Sequence, residues 1–170
     1  MKCVGFDAVA DKKARVLILG TLPGAKSLEL RQYYAKPSNR FWRIMEELIG
    51  TLPADYHGRL RKLTHAGIAL WDVCYSAERA GSLDSKIIMS TVVTNDFASF
   101  LRMHPDIGLI CFNGRTAEKI FKRKVGAGIS DIRYELLPSS SAAHAITNEQ
   151  KLTRWRQAIS SALRRSPHHG

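Results

Sequence analysis

The sequence predicts one α/β domain of three layers, a four-stranded parallel sheet with helices on both faces. Three observations carry that expectation. Four apolar runs stand apart along the chain: "RVLILG" from Arg15, "GIALWDV" from Gly67, "IGLICFN" from Ile107 and "IRYELLP" from Ile132. None alternates cleanly between apolar and polar, as expected of strands buried on both faces. Helical patterns fill the gaps between them, and strands alternating with helices imply a parallel sheet. The chain has 170 residues and is 45% hydrophobic, enough for one core, and no linker, repeat or low-complexity segment divides it.

Taken in order, the first strand ends at Gly20 and runs into "GTLPGAKS", Gly20 to Ser27. "SNRFWRIMEELIG" then reads as a helix capped by Ser38 or Asn39, with Phe41, Ile44, Met45 and Leu48 on its apolar side and Gly50 as its stop. "GIALWDV" follows as the second strand, and "TNDFASFLRM" as the next helix. "IGLICFN" leads through Gly114 into the helical "GRTAEKIFKRK". "IRYELLP" is the fourth strand, and "TNEQKLTRWRQAISSALRR" closes the chain as a helix opened by a Thr147–Gln150 capping box. Residues 165–170 are expected to fray.

Lys and Arg number 26 against 15 Asp and Glu, a formal net charge of +11. A one-signed charge of that size costs self-repulsion and points to a polyanionic partner, nucleic acid first. The cations lie in "RLRK" (Arg59 to Lys62), "KIFKRK" (Lys119 to Lys124) and at Arg154, Arg156, Arg164 and Arg165, forming a surface field and no basic tail. Cys3, Cys74 and Cys111 lack metal-site spacing and read as reduced thiols. The expectation is a cytoplasmic monomer without metal or cofactor; no leader or long apolar run argues for secretion or a membrane.

In such folds ligands sit beyond the carboxyl ends of the strands. Here those ends are "GTLPG", "WDVC", "FNGR" and "LPSSSAAHA", all small and polar. The first nearly matches a phosphate-binding loop, which is Gly, four residues, Gly, Lys, Ser or Thr. The second glycine position holds Ala25, Pro23 removes an amide donor, and Pro37 stops the following segment early. A nucleotide-triphosphate site is therefore the weaker alternative. A hydrolase triad of Ser139, His144 and Asp72 lacks the G-x-S-x-G elbow. A non-catalytic nucleic-acid-binding domain remains open.

Read together, "LILGTLPGAKSLELRQYYAKPSNRFW", "LWDVC" with "GSLDSKI", "FNGRTAEKIF" and "LPSSSAAHA" resemble the uracil-DNA glycosylase superfamily. The nearest branch is the hypoxanthine-DNA (deoxyinosine) glycosylases, relatives of the mismatch-type uracil glycosylases. The resemblance implies a glycosylase that flips a deaminated base from damaged DNA and hydrolyses its N-glycosidic bond. It makes "GTLPG" the pocket loop, so Gly20, Thr21, Leu22, Pro23 and Gly24 are expected at the base. Leu22 stands where other branches carry a water-positioning Asp or Asn. The catalytic amide of this branch matches Asn39, whose ordinary alternative is a helix cap. Asp72 ranks second, binding the base edge or steering water, or merely capping a turn. Asn113 can read a purine edge or make the turn before Gly114. Tyr34 and Phe41 are expected at the base, as wall or stacking face. The resemblance makes "LPSSSAAHA" the loop that enters DNA, with Ser139, Ser140 and Ser141 on phosphates and His144 on phosphate or the leaving base. Leu137 replaces the His that opens this loop in the uracil-specific branch.

Overall fold

The computed structural model describes residues 1–126, 129, 131–142 and 146–164. Strand β1 (Lys2–Val4) precedes β2 (Val16–Gly20), α1 (Ala25–Leu30), α2 (Phe41–Ile49) and α3 (Tyr56–His65). Then come β3 (Ile68–Asp72), β4 (Cys74–Arg79), a 3₁₀ turn at Asp84–Lys86, β5 (Ile87–Thr94) and α4 (Phe97–Met103). The chain ends with β6 (Leu109–Asn113), α5 (Arg115–Lys124), β7 (Arg133–Leu137) and α6 (Asn148–Arg164).

The four apolar runs form a four-stranded sheet in the order β3-β2-β6-β7, with every pair parallel. β2 explains the missing alternation. Val16 and Ile18 pack on one side with Phe41, Ile44 and Met45 of α2, Leu63 of α3, and Trp155 and Ile159 of α6. Leu17 and Leu19 pack on the other with Phe97, Phe100 and Leu101 of α4 and Ile120 and Phe121 of α5. Both faces of the strand are apolar because both are covered.

Several local expectations hold in detail. The Thr147–Gln150 box is reciprocal: Thr147 N donates to Gln150 Oε1 (3.0 Å) and Gln150 N to Thr147 Oγ1 (3.2 Å). Gly50 ends α2 at φ 92°. The start of α2 is subtler than a simple cap. Arg40 occupies the position before the helix and makes no side-chain cap bond. Asn39 caps from one residue further back, its Oδ1 accepting the Phe41 amide at 2.9 Å.

A second sheet, with order β1-β4-β5 and antiparallel pairing, lies outside the sequence expectation. It packs Cys3, Ala77, Ile87 and Val92 onto the α4–α5 side of the core. The strand β4 leads directly out of β3, so this sheet carries its far end back to the pocket loop.

Candidate active site at the carboxyl edge of the parallel sheet

Parallel register brings the strand ends to one edge. Gly20 pairs with Asp72, and Asn113 with Leu137. Gly20 has to be glycine: a Cβ there would lie 2.5 Å from Asp72 Oδ1 and 3.1 Å from the Tyr34 hydroxyl. Gly114 sits at φ +96°, where its missing Cβ lets Ser139 approach.

Buried polar side chains converge behind this edge. Asn113 Nδ2 donates to Ser140 Oγ (2.8 Å) and to the Tyr34 hydroxyl (3.2 Å), while Asn113 Oδ1 accepts from Ser140 N (2.8 Å). Asp72 is 5% exposed, and its backbone carbonyl is fixed by Asn95 Nδ2 (2.7 Å). Its Oδ2 and the Thr21 hydroxyl are buried without a hydrogen-bond partner. Burial first, then the nearby Asp84 charge, pushes the Asp72 carboxyl up to about 7, against a downward pull from Arg79. Asp84 is itself raised by burial, while the Thr21 hydroxyl and the Arg79 charge hold it back. A buried carboxyl oxygen without a bond marks Asp72 as a candidate contact for a bound molecule.

Tyr34 forms the layer over this group. It takes the left-handed conformation (φ 54°), which a bulky residue adopts only when its surroundings enforce it. Its ring stacks on Phe41 with centroids 4.0 Å apart. Phe41 is 0% exposed, so the expected direct contact between Phe41 and a base is not available; Phe41 supports Tyr34 from beneath. Burial raises the Tyr34 phenol well above its ordinary range, so it stays neutral.

Outside Tyr34 opens a groove of about 790 Å³ that Asn39 lines, together with Lys36, Arg40, Arg43 and Arg59. Among the described residues none of these four cations is ion-paired. Arg40 N donates to Ser140 O (2.8 Å), which ties the Asn39 segment to the serine loop. That loop is anchored by α6: Trp155 Nε1 donates to Pro138 O (2.9 Å) and Lys151 Nζ to Ser141 O (2.7 Å).

The serines separate into different roles. Ser140 is 1% exposed, and its hydroxyl and amide are both spent on Asn113, so it supports the site from within and does not face phosphate. Ser139 and Ser141 are only half-buried, with Ser139 Oγ accepting the Ser141 amide (3.1 Å). His144 and residues 165–170 lie outside the described residues.

In the pocket loop Thr21, Leu22 and Pro23 are buried and Gly24 is half-buried. The loop departs from a phosphate cradle. Its Ala25 amide is already bonded to Ser82 Oγ (2.8 Å), and α1 is only six residues long. Instead Arg79, 2% exposed, reaches Leu22 O and Pro23 O with its guanidinium. Arg79 and Asp84 carry no signal in the sequence expectation, although Asp84 stands inside the "GSLDSKI" block.

An acid, an amide and a glycine loop thus gather at one edge of a parallel sheet, beside a groove lined by cations. The chain belongs to the uracil DNA glycosylase superfamily, whose family model matches residues 6–164. Within it, the chain is 40% identical over 153 residues to a hypoxanthine DNA glycosylase of Methanosarcina acetivorans, covering 89% of this chain and 94% of the relative. It is 34% identical over 161 residues to the hypoxanthine DNA glycosylase of Methanosarcina barkeri, covering 94% and 99%. A solution NMR structure from M. acetivorans, provisionally named a uracil DNA glycosylase, superposes with a TM-score of 0.79 at 37% identity, covering 95% of this chain and 99% of that one.

Proposed function

We propose that this chain is a monofunctional DNA glycosylase that flips a deaminated base out of DNA, hypoxanthine first, and hydrolyses its N-glycosidic bond. The observation that carries this reading is the buried Asp72 carboxyl at the sheet edge, one oxygen against Gly20 and the other without a hydrogen-bond partner among the described residues. A purine with a 6-oxo group presents acceptors at O6 and N7, and hypoxanthine adds a donor at N1. A carboxyl poised near 7 can serve either side: protonated, it donates to an acceptor; ionised, it accepts from N1. Protonating the departing purine lowers the charge that the leaving group must carry. The Asn113 amide has its Nδ2 hydrogens engaged by Ser140 and Tyr34, so in this arrangement only the second lone pair of Oδ1 is left for the base edge.

Asn39 orients the attacking water. Its Oδ1 already accepts the Phe41 amide, and a carbonyl oxygen keeps a second lone pair for another donor. Capping and catalysis therefore coexist in one side chain. The unpaired cations of the groove meet DNA phosphates, and Ser139, Ser141 and His144 act on the strand at the lesion. This reading assigns no lysine nucleophile: Lys26 pairs with Glu29, Lys36 is kept for phosphate, and Lys151, whose pKa burial lowers, donates to Ser141 O. The protein works as a monomer in the cytoplasm, with no metal or cofactor.

Duplexes carrying one hypoxanthine, uracil or xanthine, incubated with the protein and then cleaved with alkali at abasic sites, test this. Hypoxanthine is expected to be released fastest, in the presence of chelator and without a borohydride-trapped adduct. DNA binding without release of any base would leave the chain a nucleic-acid-binding module and refute the proposal.

A further inference from the structure

The pocket loop has an unusual hydrogen-bond economy. Five successive carbonyls are all occupied. Gly20 O accepts from Val73 N (2.9 Å), Thr21 O from Cys74 N (3.1 Å) and Gly24 O from Leu28 N (2.9 Å). The middle two, Leu22 O and Pro23 O, have no backbone donor. They accept from Arg79 Nη1 (3.4 Å) and Nη2 (2.5 Å), while Arg79 Nε donates to Gly81 O (2.8 Å). The apex of the loop is thus held by one side chain from the second sheet.

That side chain is costly to place. Arg79 is 2% exposed, and among the described residues no carboxylate lies within ion-pair distance of it. A buried cation without an ion pair persists only where its hydrogen bonds and field repay its desolvation. The field here falls on Asp72 and Asp84, both of which Arg79 pulls toward the charged form. Its fork fixes the apex of the loop with both carbonyls engaged.

We propose that Arg79 is a positioning residue for base excision: its guanidinium fork sets the Leu22–Pro23 edge of the base pocket, on the loop whose Gly20 lies against Asp72. This rests on the glycosylase reading above. Arg79 touches neither base nor sugar; it acts through the loop and through Asp72. Around Asp72 the other groups that matter are Asp84 from the turn before β5, Cys74 of β4, and the Tyr33 and Tyr34 phenols from the segment before α2.

Arg79→Met and Arg79→Lys test it with two readouts. One is the ¹³C titration of the Asp72 carboxyl without DNA; the other is the single-turnover excision of hypoxanthine across pH. Arg79→Met should move the Asp72 midpoint to higher pH, displace the pH profile with it, and slow excision about 10²-fold, the scale of a misplaced reacting geometry. Arg79→Lys keeps the charge and loses the fork, so the midpoint should stay near wild type while excision still falls. Arg79→Met with the wild-type midpoint and rate, whatever its melting temperature, would assign Arg79 to the fold alone and overturn the proposal. If the Met variant does not fold, wild-type excision in Arg79→Lys overturns the fork. A wild-type protein that releases no base sinks the glycosylase reading and the excision role with it. A displaced Asp72 midpoint in Arg79→Met still upholds the coupling in that case.

Discussion

Replacing Asp72 by Asn isolates the electrostatic cost built into the pocket. The folded protein lifts this carboxyl from its usual 3.8 to about 7. A pKa raised on folding favours the folded state fully below the unfolded value, and that benefit is lost as pH rises through the folded one. At about 1.4 kcal/mol per pH unit, carrying Asp72 ionised above pH 7 costs the fold about 4 kcal/mol. Asn keeps the shape and cannot ionise. Any cost of its amide is the same at every pH, so the slope of the difference is the diagnostic. Thermal melts of both proteins from pH 4.5 to 9 should diverge with rising pH in favour of the variant. With about 2–4 °C per kcal/mol for a chain of this size, the gap at pH 8.5 should approach about 10 °C. Excision should change in parallel: the variant resembles the protonated acid and loses whatever pH limb Asp72 creates. A flat difference, or one that widens toward acid, would show that Asp72 is not held near neutrality and would remove it from the chemistry.

Three further outcomes follow from the same geometry. Asn39→Ala should lose about 10²–10³ in single-turnover rate if its amide orients water, whereas a lost cap costs about 1 kcal/mol and little rate; melts run beside the kinetics separate the two, and Asn39→Asp, which caps but adds charge, should melt normally and turn over abnormally. Ser140→Ala strips Asn113 of a buried partner and should destabilise by about 1–3 kcal/mol, weakening binding to lesion DNA without altering its salt slope; a changed slope in salt titrations would mean that Ser140 meets phosphate after all. Lys36→Gln and Arg43→Gln should each flatten the plot of log affinity against log salt by about 0.9 on duplex DNA, and an unchanged slope would place the strand elsewhere.

The parallel sheet was legible because its strands are covered on both sides, and a residue such as Leu17 or Ile18 has no polar alternative. The second sheet was not. In β4, "CYSAER", the buried pattern is broken by register shifts against β5. β5 exposes Ile88 and Val93, so its apolar content signals no core. The helix α3 hid for a related reason: "RLRK" announces charge before amphipathicity, and only Gly58 and Leu63 are buried. Block order put Asp72, Asn113 and the pocket loop at strand ends that the parallel register brings to one edge, but said nothing of how residues within a block differ. Ser139, Ser140 and Ser141 are identical in sequence, and only the turn at Gly114 and the anchor at Trp155 decide which one faces inward. Phe41 and Tyr34 both read as aromatic walls, and packing alone puts one beneath the other. Arg79 is the extreme case. An arginine at a strand end reads as solvated, and nothing local reveals that two carbonyls 56 and 57 residues away receive it.

The near-match to a phosphate loop has an electrostatic resolution. A phosphate cradle brings glycine close to a polyanion and faces it with amides and a lysine. At Gly20 the glycine instead makes room for Asp72 Oδ1 and the Tyr34 hydroxyl. A carboxyl at that spot, with Asp84 near enough to perturb it, repels a triphosphate but accepts a neutral base. Outside Tyr34, cations without ion pairs among the described residues line the groove: Lys36, Arg40, Arg43 and Arg59. Damaged DNA needs that separation, because a flipped nucleotide presents an uncharged base on an anionic backbone. Acids in the pocket with cations on the rim sort the two parts of one substrate, and the same arrangement rejects free nucleotides whose phosphates would have to follow the base inward. ITP should therefore inhibit hypoxanthine release from DNA no more than ATP does at matched ionic strength. Competition by ITP through the pocket, at concentrations that undamaged DNA cannot mimic, would mean that the acid does not guard it.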